Sequence, residues 1–368
     1  MSTCRLCPAA LTRRHLIGYL ASFGGLPGAE RRRSLPSESF RYLDPATEFV
    51  VERLTDPAHA SLLPSPLVPF IGRRGGFFLY SSERSGPLQA YRMDERTGQS
   101  EQLTEAATLD PASLMLLPNE RAFCYFDGPL LYRVSLGNLK ARVIYRVPEG
   151  WKPQGFLALS RDGDIVLVES RPGRSALRLV GSGGGRATPV LERSGLMEDP
   201  APRPRREEIL YRYDGRLWCT RRGGQPNFQL AVPPGLVRAA FWSPDGHAIL
   251  YLHQPPEKGK PSALREYVLE THSDRLLAQT SQFASFSYNG DASVFVGASA
   301  NVASPHVLLL LRSTRRELTL CEHGARDPAR VHPRFSPDSR RVYFQSDRDG
   351  KPAIYRIRVE RLVEPTES

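Results

Sequence analysis

The stretch EHGARDPARVHPRF, Glu322 to Phe335, sets two histidines, an aspartate and three arginines close together. Imidazole and carboxylate are ligand types for a divalent metal, and guanidinium is the planar partner of a carboxylate. Spacing alone does not show whether these side chains converge. The plainer reading of His306, His323 and His332 is a loop-exposed or hydrogen-bonded histidine. His247 sits beside a hairpin turn, and His253 and His272 lie at strand ends or in loops without a partner motif. No G-x-S-x-G nucleophile motif is present. The run VGSGGGRA, Val180 to Ala187, lacks Walker spacing and the Lys-Ser/Thr pair, so it reads as a loop. Cys4 and Cys7 form a C-x-x-C, one pair short of a four-ligand zinc site. Cys124, Cys219 and Cys321 stand in apolar strand-like runs and read as buried thiols.

The elements that must position these groups repeat along the chain. FSPDSRRVYFQSDRDGKPAIYRI, Phe335 to Ile357, has a polar turn, an alternating run, a second turn and another alternating run. FWSPDGHAILYL at Phe241, FLALSRDGDIVLVES at Phe156 and FSYNGDASVFVGAS at Phe286 keep that order. Weaker copies start near Leu116 and Arg203, and a fuller unit runs from Ile71 to Glu105. Unit starts fall near Val68, Asp110, Trp151, Met197, Val237, Phe283 and His332. A period of about 40–45 residues with four short strands per unit marks a β-propeller blade. The 32 prolines and 30 glycines suit a fold so rich in turns. The expectation is an all-β, seven-bladed propeller, within a range of six to eight. The last unit lacks a strand, and TEFVVERLTDPA, Thr47 to Ala58, can supply it. The N-terminal strand is therefore expected to complete the last blade and remove an open edge.

Thr12 to Ala29 resembles a twin-arginine export signal, with Arg13-Arg14 before a short apolar run. That run suits a signal core and is too short to span a bilayer. The expected organisation is an export signal at 1–29, a linker at 30–45, a propeller at 46–361 and a polar tail at 362–368. The expected location is periplasmic or extracellular, as a monomer without a transmembrane span. The net charge of +11 comes mostly from dispersed arginines. It fits an anionic partner, but no aromatic-interleaved basic patch or nucleic-acid motif accompanies it.

YLDPATEFVVERLTDPA, LYSSERSGPLQAYRMDERTGQSEQLTEA and LCEHGARDPARVHPRFSPDSRRVYFQSDRDG together resemble the oligogalacturonate lyases. The Ser-Pro-Asp turns alone also resemble Tol-type propellers. The first resemblance implies a seven-bladed propeller that cleaves short pectin fragments by β-elimination on a uronic acid. A histidine base removes the proton beside the carboxylate, and a divalent metal, manganese, neutralises the carboxylate and the developing enolate. Carried over residue by residue, the last metal histidine matches His332. Its neighbour falls on Arg330, and the glutamine ligand falls on Asp327. A further metal histidine finds no match in Phe283 to Phe286. The base precedes a Phe-Trp pair, here Phe241-Trp242, where this chain has Ala239-Ala240. The substrate arginine matches Arg216.

The resemblance thus implies a degraded site. Arg216, Arg330 and Trp242 are the expected substrate contacts. His332, His323 and Asp327 are the weak candidates for a rearranged metal site, and an absent metal is the better expectation. The expected partner is an anionic oligosaccharide, or else a protein at a propeller face if the chain is a Tol-type scaffold without activity.

Overall fold

Ser243-Pro-Asp245-Gly246 shows what the repeated turn does. Ser243 Oγ accepts the Ala248 N–H at 2.9 Å and donates to Asp245, whose carboxylate accepts the His247 N–H at 2.9 Å. Ser336 and Asp338 repeat the arrangement, with Ser336 Oγ accepting the Arg341 N–H at 3.0 Å. At the same place in the Tyr-Asn-Gly-Asp turn, Asn289 accepts the Val294 N–H at 3.0 Å. Each turn satisfies its own backbone and sends the chain back antiparallel.

The computed structural model describes residues 33–363 apart from 67, 75, 161 and 281. It is an all-β, seven-bladed propeller. Blade 1 runs from Ser61–Leu62 to Ser100–Gln102, blade 2 from Met115–Leu116 to Ala141–Arg146, and blade 3 from Lys152–Leu159 to Thr188–Ser194. Blade 4 runs from Met197–Pro202 to Asn227–Gln229, blade 5 from Leu236–Trp242 to Ser273–Thr280, and blade 6 from Phe283–Tyr288 to Glu317–Glu322. Blade 7 joins Arg334–Phe335, Arg341–Ser346 and Ala353–Arg358 to two strands from the other end of the chain. Val50–Arg53 pairs antiparallel with Ala353–Arg358, and Phe40–Leu43 pairs outside it.

The core lies between the blades. Phe78 of blade 1 meets Tyr343 of blade 7 at 5.4 Å between ring centroids. Blades 6 and 7 share the cluster of Val296, Leu309, Phe344 and Tyr355. Cys124, Cys219 and Cys321 are free and buried within these faces. Burial pushes all three thiols up, so none is a ready nucleophile.

One expectation needs correction. Residues 30–45 read as a linker, yet Ser34–Leu35 pairs with Glu101 and Ser100 of blade 1, and Phe40–Leu43 extends blade 7. The partners are distant in sequence, and two- to four-residue edge strands carry almost no periodicity of their own. The export signal at 1–29 and most of the 362–368 tail lie outside the described residues. Among the described residues, no helix is long and apolar enough to cross a membrane.

Candidate functional site

The inner strands of blades 4, 5 and 6 each slip register near their N-terminal ends. The slips fall between Glu198 and Ala201, Val237 and Ala239, and Phe283 and Ser285. A bulge leaves a residue unpaired and re-aims its side chain. Asp199, Arg238 and Ala284 occupy these slips, and all three line one cleft of about 710 Å³. In blade 7 a 3-10 turn, Pro328–Arg330, precedes the inner strand. Asp327, Pro328, Ala329 and His332 form that wall. Alanines at 239, 240, 284, 300 and 329 leave the space open.

Charge in the cleft is uneven. Arg212 is neutralised by Asp199, with Nε to Oδ2 at 2.6 Å, and lies 3.5 Å from Glu198. Lys260 pairs with Glu257 at 3.1 Å. Arg238 differs: Nε and Nη2 both donate to Gln254 Oε1, at 3.0 and 2.7 Å. Gln254 is neutral, so it orients the guanidinium without cancelling its charge. Among the described residues Arg238 has no carboxylate partner, and an oriented guanidinium of this kind on a concave wall can take a carboxylate.

His332 and Asp327 both reach the cleft. His332 has φ 47°. Its Nδ1 is sealed from solvent and has no hydrogen-bond partner. Burial pushes this imidazole down to about 4, with Asp327 pulling weakly the other way. Asp327 caps the 3-10 turn by accepting the Ala329 N–H at 3.0 Å, and Arg330 Nε lies 3.4 Å from its carboxylate. Arg330 is well exposed beside the cleft and is not part of its wall.

Arg216 opens the second strand of a tight hairpin in blade 4. Asp214 and Gly215 both have positive φ, 51° and 66°, as a type I′ turn requires. The Gly215 carbonyl accepts the Val237 N–H at 3.4 Å, next to Leu236 of the cleft wall. Arg216 is therefore exposed at the rim and not within the cleft.

Two expected site residues are structural. Trp242 is buried; its Nε1 donates to the Ala201 carbonyl at 2.8 Å, and Arg203 covers its ring at 4.9 Å. The preceding bulge puts Trp242 on the inter-blade face, so it cannot stack on a ligand. His323 is fully buried and spends both nitrogens: Nε2 on the Ser299 carbonyl and Nδ1 on the Ala325 N–H, each at 3.0 Å. Nε2–H is donated to the carbonyl and the one ring lone pair, on Nδ1, accepts the Ala325 N–H, so His323 cannot ligate a metal. The residues missed from sequence are Arg238 and Gln254. The available signal was a charged residue inside the apolar run Leu236 to Trp242.

No protein-family model matches the chain. The architecture defines a seven-bladed β-propeller with its cleft at the N-terminal ends of the inner strands. The oligogalacturonide lyase of Pectobacterium atrosepticum is 25% identical over 382 aligned residues, covering 88% of this chain and 97% of that protein. The oligogalacturonate lyase of Dickeya dadantii is 24% identical, covering 86% and 95%. An oligogalacturonate lyase solved in complex with manganese superimposes with a TM-score of 0.83 at 24% identity, covering 89% of this chain and 98% of that one. The Vibrio parahaemolyticus oligogalacturonate lyase gives 0.83 at 22%, covering 91% and 100%. The chain resembles the oligogalacturonate lyases over nearly its whole length and has a seven-bladed propeller fold of their type.

The side chains do not fit a resident cation of the kind held in that manganese complex. The unpartnered Nδ1 of His332 is sealed from solvent, both nitrogens of His323 are spent, and the Asp327 carboxylate is engaged as a cap and by Arg330. Among the described residues, no three His, Cys, Asp or Glu side chains converge. Ala284, which carries no donor atom, occupies the blade 6 bulge in the cleft wall.

Proposed function

We propose that this protein is an exported propeller that binds uronate oligosaccharides of the pectin type and does not carry out metal-dependent β-elimination. The observation that carries this reading is Arg238, aimed into the cleft by a bulge and held by a neutral glutamine. It can take a uronate carboxylate through a charge-assisted bond in place of a metal. Arg216 at the rim and Arg330 beside the cleft extend the basic surface along a longer chain. Ala239-Ala240 stands where the resemblance implies a histidine base, and an alanine cannot move a proton. The export signal at 1–29, with a periplasmic or extracellular location, belongs to this proposal.

The test is incubation with oligogalacturonates, with and without Mn²⁺, following ultraviolet absorbance of the unsaturated product, with calorimetry in parallel. Binding without absorbance growth is the expected result. Metal-dependent growth would overturn the loss of chemistry. Absence of both signals would overturn the ligand.

A further inference from the structure

The inner strands end in turns at the end of the blades opposite the cleft. A second cavity, of about 270 Å³, lies there. Pro244 of blade 5, Tyr288 of blade 6, Arg334 and Pro337 of blade 7, and Phe70 and Ile71 beside blade 1 contribute to its wall. That volume is several times the ~30 Å³ share of a single water.

Arg334 is the unexplained group. Its Nη1 is closed off from solvent and has no hydrogen-bond partner. Among the described residues it makes no ion pair; its guanidinium lies 5.8 Å from the Phe70 ring centroid. The other polar groups nearby are spent. The Tyr288 hydroxyl donates to the Trp242 carbonyl at 2.6 Å, and the Ser336 hydroxyl donates to Asp338. The Asn289 side chain is engaged by Ser293 and the Val294 N–H. Burial pushes the Arg334 guanidinium below its ordinary value, as expected of a cation without a counter-ion. It nonetheless stays protonated. One ring at that distance returns little of the cost of desolvating a charge.

We propose that this second cavity binds a small organic carboxylate with an apolar body. The Nε and Nη2 side of the Arg334 fork would take the carboxylate, since Nη1 is closed off. The prolines, Phe70 and Ile71 would cover the apolar part. An inorganic phosphate fits poorly, because a single cation and apolar walls leave most of its oxygens unsatisfied. This site is separate from the cleft and does not depend on the sugar reading.

The probes are sodium benzoate, sodium acetate and inorganic phosphate, read by calorimetry and thermal unfolding on the full chain. Benzoate should bind and raise Tm with concentration, acetate less, phosphate least. Arg334→Met should weaken benzoate by about tenfold or more. Without ligand it should be at least as stable as the parent, because it removes an unpaired charge. Arg334→Lys keeps the charge, loses the fork, and should bind benzoate weakly while staying folded. Oligogalacturonate binding should be the same in all three proteins. No benzoate binding, equal binding by Arg334→Met, or phosphate binding more tightly than benzoate would each overturn the site. A loss of ligand-free stability in Arg334→Met would make Arg334 a structural partner of Phe70 instead.

Discussion

Arg238 holds a full charge against a neutral partner, so its removal should cost binding and little else. Arg238→Ala is expected to lower oligogalacturonate affinity by about tenfold or more, with Tm unchanged, read by calorimetry and scanning fluorimetry. Arg238→Lys should recover only part, because an ammonium cannot make the paired bonds of a guanidinium. His332 gives a pH signature. The unfolded chain takes up this proton near pH 6.5, and the folded chain only near 4. Stability is therefore complete above pH 6.5 and falls as the pH drops toward 4, by about 2 kcal/mol after allowing for partial exposure. Urea unfolding at pH 7 and pH 5 should show the difference, and His332→Asn, which tolerates the positive φ, should reduce it. His332 and Asp327, read as candidate metal ligands, do stand at the cleft just before the repeated turn, as wall and turn cap. His323 and Trp242 were misread because their partners, the Ser299 and Ala201 carbonyls, lie 24 and 41 residues away.

Turns and bulges decide where these side chains stand. The Asp214-Gly215 turn aims Arg216, and a Cβ at Gly215 would meet both a positive φ and Leu236 at 3.2 Å. Gly215→Ala should cost on the order of 1 kcal/mol and weaken oligosaccharide binding through Leu236 and Arg216. Gly173, with φ 75° and open space around it, is the control. Gly173→Ala should cost stability and leave binding alone, which separates backbone strain from displacement of the wall. Blade starts read at Met197, Val237 and Phe283 fall within a residue of the inner strands, because there alternation begins with the strand. The starts at Val68 and Asp110 fall away from Ser61 and Met115, because the inner strands of blades 1 and 2 are broken into short pieces. The bulge at Arg238 was not legible. It is a property of pairing between two strands, and neither strand's own pattern contains it.

Closure of the ring joins residues almost the whole chain apart. Val51 is fully buried against the blade 6 and 7 core, and Glu52 lies directly across from Arg356. Their side chains meet at 2.5 Å, and Arg41 adds a second contact at 3.3 Å. Burial pushes the Glu52 carboxyl up, but Arg356 and Arg41 outweigh it and hold it below its ordinary value. A depressed carboxyl stabilises the fold above its unfolded range and loses that contribution as the pH falls through its folded value. The seam was legible because the last repeat lacked a strand and Thr47 to Ala58 matched the gap. Its ion pair was not, since register fixes which residues face each other. Breaking the seam therefore tests the whole molecule. Glu52→Ala leaves Arg356 largely buried, with Glu95 at 3.9 Å as its nearest remaining carboxylate. It should cost about 3 kcal/mol near neutral pH, with the deficit shrinking in acid as the parent loses the same contact. A double variant with Arg356→Met should recover part of the loss, because the unpaired charge is gone. A seam that holds the ring shut will keep unfolding in one step in every variant, at a lower midpoint. Early loss of blade 7 alone, seen as a separate first transition by hydrogen exchange, would show instead that the other six blades stand without it.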